Sequence, residues 1–282
     1  MNTLHPDQPE PADIVRFLAE DIGAGDLTAS ILPASAIASA TVVTREAMVL
    51  CGTEWFDAVF KQLDPALRID WCKQDGDAVE AGDLLCRLKG SARSLMTGER
   101  TALNLLQTLS GTATLARQYA NAVAGTRTRV LDTRKTLPGL RLSQKYAVRC
   151  GGCHNHRIGL YDGILIKENH IIAAGSITAA LQAAQSLQTG VMIEIEVETL
   201  EELREALDAG ATRVLLDEFT LPMMREAVTM SAGLAELEVS GNVTLESIRD
   251  IADTGVDFIS IGALTKHVRA VDLSLRVTVD AR

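Results

Sequence analysis

The segment from Asp132 to His170 concentrates side chains that bind anions. It contains seven lysines and arginines but only three acidic residues, a net charge of +4 in a chain whose formal charge is −10. Cations clustered in an otherwise acidic protein indicate a pocket for a small, multiply charged anion. The cations are Arg134, Lys135, Arg141, Lys145, Arg149, Arg157 and Lys167, and His154, His156 and His170 accompany them.

Carboxylates that could pair with some of these cations occur further along the chain. Glu194, Glu196 and Glu198 alternate with apolar residues, so in a strand they share one face. If that face points into a barrel, unpaired carboxylates would be unfavourable there, and Lys135 and Lys167 are natural partners. We therefore expect Glu196 to be functional, and an exposed strand edge is the alternative.

Short β-branched segments alternate with helical segments in the C-terminal half. The alternation predicts parallel strands joined by crossover helices, and six units in about 140 residues are too few for a complete eight-fold barrel. We predict a shortened or open α/β (TIM-like) barrel of about six to seven strands. A doubly wound sheet is disfavoured, because D-T-R-K-T stands where a glycine-rich nucleotide turn is needed. Strands are predicted near Arg129, Gly163, Met192, Arg213, Leu237 and Phe258, and helices at 177–187, 200–209, 221–231 and 245–252, with Ser176, Thr199, Thr220 and Thr244 at their N-termini.

Polar residues fall at the C-terminal ends of the predicted strands, where barrels of this kind carry their active sites. The loops after the last two strands are small and glycine-bearing, so their N–H groups can approach a phosphate. In chain order the residues are Thr133, Arg134, Lys135, Lys167, Glu196, Asp217, Ser240, Gly241 and Gly262.

The N-terminal half predicts an α+β domain. We place it at residues 1–115 and the barrel at 116–269, and we expect the alternating strand in 270–282 to return to the N-terminal domain. The run Asp75–Leu88 resembles half of a lipoyl or biotinyl carrier domain, but it has no modifiable lysine at a hairpin tip. Helices are predicted at 13–22, 55–63 and 91–111, the last continuing to residue 124 after a break, and strands within 40–51 and 67–89.

Composition excludes several classes of protein. A pI near 5.0 argues against a nucleic-acid-binding protein, and no apolar run reaches transmembrane length. The polar residues 1–10 are unlike a signal peptide, and five cysteines without an export signal indicate reduced thiols in the cytoplasm.

The run Cys150-Gly-Gly-Cys153-His154 fits three motifs that we reject. Covalent haem attachment needs export, a structural zinc site needs four ligands, and a thioredoxin-like motif opens a helix, whereas Cys150 ends the predicted helical run 140–150. We interpret the motif as a tight turn that delivers His156 and Arg157 to the anion site.

Long ordered motifs of this chain resemble the quinolinate phosphoribosyltransferase family. They are D-T-R-K-T-x-P-G-x-R from Asp132, K-Y-A-V-x-C-G-G-x-x-N-H-R-x-G-L-x-D from Lys145, L-I-K-E-N-H from Leu165, E-V-E, L-L-D, S-I-G-A-L-T-K from Ser260, and G-E-R-T-A-L-N-L-L-Q-x-L-S-G-x-A-T at Gly98–Thr114. The resemblance extends from about residue 12 to the C-terminus.

The resemblance implies an activity and an assembly. Quinolinate and phosphoribosyl pyrophosphate would give nicotinate mononucleotide, pyrophosphate and carbon dioxide, with Mg2+ as the cofactor. It also implies an open-sandwich N-terminal domain and a head-to-tail homodimer, with a hexamer as the alternative.

The resemblance also implies roles for individual residues. Arg100 from the neighbouring subunit would join the quinolinate contacts, Lys135 would be shared with the pyrophosphate, and Glu196 and Asp217 would face the ribose and the metal. The implied quinolinate contacts are Arg134, His156, Arg157 and Lys167, and the implied 5′-phosphate region is Ser240, Gly241, Gly262 and Lys266.

This chain departs from the family pattern at two places, and two other functions compete with the quinolinate phosphoribosyltransferase interpretation. Cys153 with His154, and Glu218 after Asp217, differ from many members of the family. A paralogue associated with molybdate transport would use another base, but this chain keeps all the quinolinate contacts. A non-catalytic phosphate-binding module would not need Glu196 and Asp217 opposite a basic cluster.

Overall fold

The computed structural model describes residues 7–279. Residues 1–6 of the polar N-terminus and residues 280–282 of the predicted last strand lie outside this range. The chain divides into two compact units. The first comprises Met1–Arg117, Thr136–Gly152 and Thr265–Arg282, and the second comprises Gln118–Lys135 and Cys153–Leu264.

Twelve strands and ten α-helices are present within residues 7–279, besides one 3-10 turn at Ala29–Ile31. The strands are β1 Ile37–Thr44, β2 Met48–Val49, β3 Arg68–Trp71, β4 Ala78–Val79, β5 Leu84–Ser91, β6 Arg129–Leu131, β7 Gly163–Ile166, β8 Met192–Val197, β9 Arg213–Asp217, β10 Glu236–Ser240, β11 Phe258–Ser260 and β12 Leu273–Val279. The helices are α1 Pro11–Ile22, α2 Thr53–Leu63, α3 Ala92–Ala122, α4 Arg141–Cys150, α5 Glu168–Ala174, α6 Ile177–Ser186, α7 Leu200–Asp208, α8 Leu221–Ser231, α9 Ile248–Ala252 and α10 Ala263–Lys266.

The first unit is built on an antiparallel sheet in the order β12-β1-β5-β3. Side chains of β1 alternate between buried and partly exposed, as a half-buried strand requires. Helices supply aromatic residues to the same core: Phe56 and Phe60 of α2 pack edge to face at 5.0 Å, and Trp55 lies 5.1 Å from Tyr146. The chain returns to this sheet at its end, because β12 pairs antiparallel with β1.

Helix α3 is continuous over 31 residues, so the predicted break after Gly111 is wrong. A Cβ at Gly111 would lie 2.1 Å from the carbonyl oxygen of Arg269. The glycine therefore allows another segment of the first unit to approach the helix closely, and it does not end the helix.

The second unit contains the predicted parallel sheet, in the order β6-β11-β10-β9-β8-β7. All six strands form where the sequence placed them, which confirms the open α/β barrel. Crossover helices join successive strands from β7 to β11, whereas the helix between β6 and β7 is α4, which belongs to the first unit. A single parallel bridge joins Leu131 of β6 to His154, so the segment after the Gly-Gly turn lies alongside the edge strand of this six-stranded sheet.

The compact units differ from the predicted domain ranges. Residues 136–152, placed in the barrel at 116–269, belong to the first unit, and so does the segment from Thr265. This exchange could not be predicted, because helix α4 has the same amphipathic pattern as a crossover helix.

The helix N-termini agree with the sequence in most places. Ser176 accepts a hydrogen bond from the Ala179 N–H, and Thr199 accepts one from Glu202. The exception is Thr244, because α9 begins four residues later at Ile248. No helix within residues 7–279 is long and apolar enough to cross a bilayer.

Candidate active site

Two carboxylates and two lysines meet at the C-terminal ends of β6 to β9. The ammonium group of Lys167 pairs with Glu196, whose side chain is only 14% exposed. Burial and the neighbouring Glu196 raise the pKa of Asp217, whereas the charges of Lys167 and Lys135 act to lower it. The expected pairing of Glu196 with a lysine is therefore present, at the rim of the barrel, and the functional role of Glu196 stays a prediction.

The loop after β6 is joined to the loop after β11 through Lys135. The Lys135 N–H donates to the Thr133 hydroxyl at 3.1 Å. A Cβ at Gly262 would lie 2.8 Å from Cδ of Lys135, so this glycine makes room for the lysine side chain. Gly262 thus contributes to the position of Lys135, and its phosphate contact stays a prediction.

The glycine loop after β10 faces the acidic end of β9. Ser240 is paired with Asp217 in the sheet, and Gly241 has a φ of +100°. A Cβ at Gly241 would lie 3.2 Å from a carboxylate oxygen of Glu218, which itself has a φ of +55°. The acid that departs from the family pattern therefore lies against the predicted phosphate loop.

Two predicted residues belong to the first unit. Arg100 lies on α3 and is exposed, and Lys266 ends α10 and is also exposed. Their roles in substrate and phosphate binding stay predictions.

Two guanidinium groups influence one another inside the barrel. Burial lowers the pKa of Arg157, and the charge of Arg134 lowers it further, while Glu194 and Asp162 oppose this. The Arg157 guanidinium donates to the Gly163 carbonyl at 3.0 Å. Partly buried neighbouring cations repel each other, so an anion that binds both would relieve an unfavourable interaction.

His156 lies deeper in the barrel than the sequence indicated. Its ring Nε2 lies 2.8 Å from Glu194, and its side chain is 7% exposed. The Arg157 N–H donates to Nδ1 at 2.7 Å, which leaves Nε2 as the protonated nitrogen of the neutral ring, donating to Glu194. The turn that delivers His156 and Arg157 is held by Asp132, which accepts from the His156 N–H at 2.9 Å.

A buried ionic cluster, which sequence reasoning missed, supports His156. Arg213 donates to Glu194 at 3.2 Å and to Glu238 at 2.6 Å, and both carboxylates are fully buried. The Arg213 guanidinium also lies 4.0 Å from the centre of the Phe258 ring. The available signal was an acid inside the apolar strand L-E-V, since a buried carboxylate requires a partner.

The two acids of this cluster differ in protonation. Burial raises the pKa of Glu238 to about 7, and the charge of Glu194 acts in the same direction. Burial also acts to raise the pKa of Glu194, but His156 and Arg213 outweigh it, so that pKa lies below its usual value. Near neutral pH, Glu194 is therefore ionised, whereas Glu238 is protonated in part of the molecules.

A cavity of about 580 Å³ opens at the amino ends of the barrel strands. His156 and Arg157 face this cavity, whereas Lys135 and Lys167 lie at the carboxyl ends with the acids. The predicted site residues of the second unit therefore lie in two places, at the cavity near the amino ends of the strands and at the carboxyl ends of the strands. The cavity lining also includes Arg129, Met192, Arg213 and Phe258, the first residues of β6, β8, β9 and β11.

The donor atoms at the rim suit Mg2+ but are few. Glu196 and Asp217 offer carboxylate oxygens, the ligands that Mg2+ prefers. The groups of three potential metal-ligating side chains within residues 7–279 are His156, Glu194 and Glu238, and Cys51, Asp75 and Cys150. Neither includes the rim acids, and Arg213 already neutralises the first group.

The pH dependence of stability tests the buried acid pair. Because the pKa of Glu238 is about 7 in the fold and 4.5 for a free side chain, the folded state binds the proton more tightly than the unfolded chain. The free energy of unfolding should fall as the pH rises from about 5 to about 8, and Glu238→Gln should remove this part of the dependence. Urea titrations over that range measure it.

The matched control is Glu236→Gln, an acid on the same strand whose side chain is 58% exposed. It should leave the pH dependence unchanged. An equal slope in Glu238→Gln and the parent protein would contradict the assignment.

Comparison with known proteins finds similarity over most of the chain. Models of the quinolinate phosphoribosyl transferase C-terminal and N-terminal domains match residues 112–276 and 26–110. A probable nicotinate-nucleotide pyrophosphorylase (carboxylating) of Bacillus subtilis is 42% identical over 264 residues, which cover 93% of this chain and 91% of that protein.

Solved structures share the fold. That of the nicotinate-nucleotide pyrophosphorylase from Francisella tularensis has 47% identity and a TM-score of 0.93, covering 98% of this chain and 100% of the other. NadC from Streptococcus pyogenes has 37% identity and a TM-score of 0.94, with 100% of both chains covered. The resemblance carried by the sequence motifs is thereby confirmed, and this chain belongs to the quinolinate phosphoribosyltransferase family.

Proposed function

We propose that this protein transfers the phosphoribosyl group of phosphoribosyl pyrophosphate to quinolinate in the de novo synthesis of NAD. The products are nicotinate mononucleotide, pyrophosphate and carbon dioxide. Membership of the family and the names of its relatives support the reaction. The observation that carries the proposal is the set of acids and lysines at the carboxyl ends of the strands, together with Arg157, whose pKa the charge of Arg134 lowers, in an otherwise acidic protein.

The cation pair suits the base substrate. Quinolinate carries two carboxylates on adjacent carbons at one edge of a small ring, and guanidinium groups bind carboxylates with two parallel hydrogen bonds. Arg134 and Arg157 would bind these carboxylates, and Lys167 would reach the ligand from the carboxyl ends of the strands. His156 would then act by holding the Arg157 backbone, in addition to any direct contact with the substrate.

The rim acids suit the transferred sugar. Departure of pyrophosphate leaves positive charge on the anomeric carbon, and nearby carboxylates stabilise that charge. Glu196 is held in place by Lys167, and Asp217 lies beside it. Lys135 lies over Gly262, where its ammonium group would face the leaving pyrophosphate.

Magnesium belongs to this proposal as the cofactor. Glu196 and Asp217 would hold it through a few oxygen contacts, and the pyrophosphate oxygens would complete its coordination. When bound, the ion neutralises charge that develops on the leaving group.

A product assay with paired substrates tests the reaction. Purified protein with Mg2+ and phosphoribosyl pyrophosphate should form nicotinate mononucleotide from quinolinate and none from nicotinate, and EDTA should abolish this activity. Arg134→Ala should lower kcat/KM for quinolinate by about 10- to 100-fold, because a charged hydrogen bond contributes roughly 1.5–3 kcal/mol.

The control is Arg127→Ala, which removes an arginine of the second unit whose side chain is 63% exposed and pairs with Asp257. It should retain full activity. Folded protein that makes no product from quinolinate would contradict the proposal and favour a paralogue with a different base.

The proposal extends to a homodimer in which Arg100 serves the neighbouring subunit. Arg100 lies exposed on α3. If it acts across the interface, Arg100→Ala and Glu196→Gln are each inactive alone, yet a mixed dimer has one site with both residues intact. Unfolding and refolding an equal mixture should therefore restore about a quarter of the wild-type activity, since half of the dimers are mixed.

Two variants that both change Glu196 provide the control, because no mixed dimer of them has an intact site. If the Arg100→Ala mixture also restores no activity although mixed dimers form, Arg100 acts within its own chain.

A further inference from the structure

Two thiols meet inside the first unit, far apart in the sequence. Cys51 precedes helix α2 and Cys150 ends helix α4, and both are free. Their sulfur atoms, with a carboxylate oxygen of Asp75, all lie within 4.8 Å of one another. The Cys51 thiol is hydrogen-bonded to Cys150. Cys150 therefore has a sulfur partner other than the second cysteine of its own C-G-G-C motif.

The backbone holds both cysteines firmly. The Cys51 N–H donates to the Ser110 hydroxyl at 3.0 Å, which in turn donates to the Cys51 carbonyl at 3.1 Å. The guanidinium of Arg117 donates to the Cys150 carbonyl at 3.2 Å and to that of Gly151 at 2.9 Å. The close approach of the two thiols is thus a property of the folded unit.

The two thiols have different reactivity. The hydrogen bond from Cys51 lowers the pKa of Cys150 below its usual value, and the charge of Arg149 acts in the same direction, whereas burial and the charge of Asp75 oppose this. Burial raises the pKa of Cys51. Cys150 is only partly buried, whereas Cys51 is fully buried. Cys150 has the features of an attacking thiolate, and Cys51 those of a thiol that reacts second.

A metal ion fits this place poorly, although Asp75 completes a group of three possible ligands. One Asp75 oxygen accepts from the Gly52 N–H at 3.0 Å and from the Tyr146 hydroxyl at 2.9 Å. The other accepts from the Thr53 N–H at 3.2 Å. Asp75 therefore serves the start of α2, and two thiols alone do not make a structural zinc site.

We propose that Cys150 and Cys51 form an oxidative modification site at which a peroxide converts the thiol pair to a disulfide. The Cys150 thiolate attacks one peroxide oxygen, the O–O bond breaks, and the product is a sulfenic acid with release of hydroxide. The Cys51 sulfur then attacks the Cys150 sulfur, the S–O bond breaks, and the departing hydroxide takes the Cys51 proton to give water. Two electrons pass from the sulfurs to the peroxide.

Thiol counting on the intact protein tests this site. Reduced protein is treated with hydrogen peroxide, quenched, denatured, and titrated with a chromogenic thiol reagent. Two of the five thiols should be lost, leaving three, and dithiothreitol should restore them. Peptide mapping should find the fragment with Cys51 linked to the fragment with Cys150 in the monomeric band of a non-reducing gel.

Single variants separate this pair from the alternatives. Cys153→Ser should still lose two thiols, whereas Cys51→Ser should form no disulfide and should leave Cys150 as a sulfenic acid that a dimedone probe labels. Cys72→Ser, which removes the exposed cysteine, is the matched control and should behave as the parent does.

Three results would overturn the proposal. They are a link between Cys150 and Cys153, a full count of thiols after oxidation, and stoichiometric zinc in the purified protein that protects Cys51 and Cys150. None of these results bears on the phosphoribosyl transfer, so the two proposals are tested separately.

Discussion

The polar interior of the barrel depends on the interactions of one buried carboxylate, that of Glu194. This carboxylate is fully buried, and its two oxygens accept hydrogen bonds from His156 and Arg213. A buried anion is tolerated only when charged partners and hydrogen bonds replace its lost water, and Arg213 supplies both to Glu194 and Glu238 at once. Through His156 the same carboxylate fixes the segment that carries Arg157, so the charge balance deep in the barrel positions this arginine.

This arrangement separates two electrostatic functions along the barrel, one suited to binding an anion and one suited to stabilising positive charge. The deeper level holds Arg157, whose pKa the charge of Arg134 lowers, and this suits an anion. The rim holds acids next to lysines, which suits a developing cation. The strand period makes the separation possible. Glu194 and Glu196 lie on the same face of β8 but two residues apart, roughly 6.6 Å along the strand. One strand therefore contributes a carboxylate to each level.

Much of this was predictable, because strand-end chemistry and β-branched periodicity are local signals. All six barrel strands, Glu196 with Lys167, and the caps at Ser176 and Thr199 followed from them. The partners of His156 and Cys150 did not, since Glu194 and Cys51 are distant in sequence and their approach depends on tertiary packing. Nor did the sequence indicate that residues 136–152 group with the compact first unit. An amphipathic helix does not specify which core it covers.

Equilibrium binding of the base without phosphoribosyl pyrophosphate tests the central claim, that two adjacent guanidinium groups recognise a dianion. Calorimetric titration compares quinolinate with nicotinate, which lacks one carboxylate, in the parent protein and in Arg157→Met. We predict that the parent binds quinolinate at least about 10-fold more tightly than nicotinate, because one charged hydrogen bond contributes roughly that much. Arg157→Met should remove most of this preference. Equal affinity for the two ligands in the parent, or an undiminished preference in Arg157→Met, would contradict it.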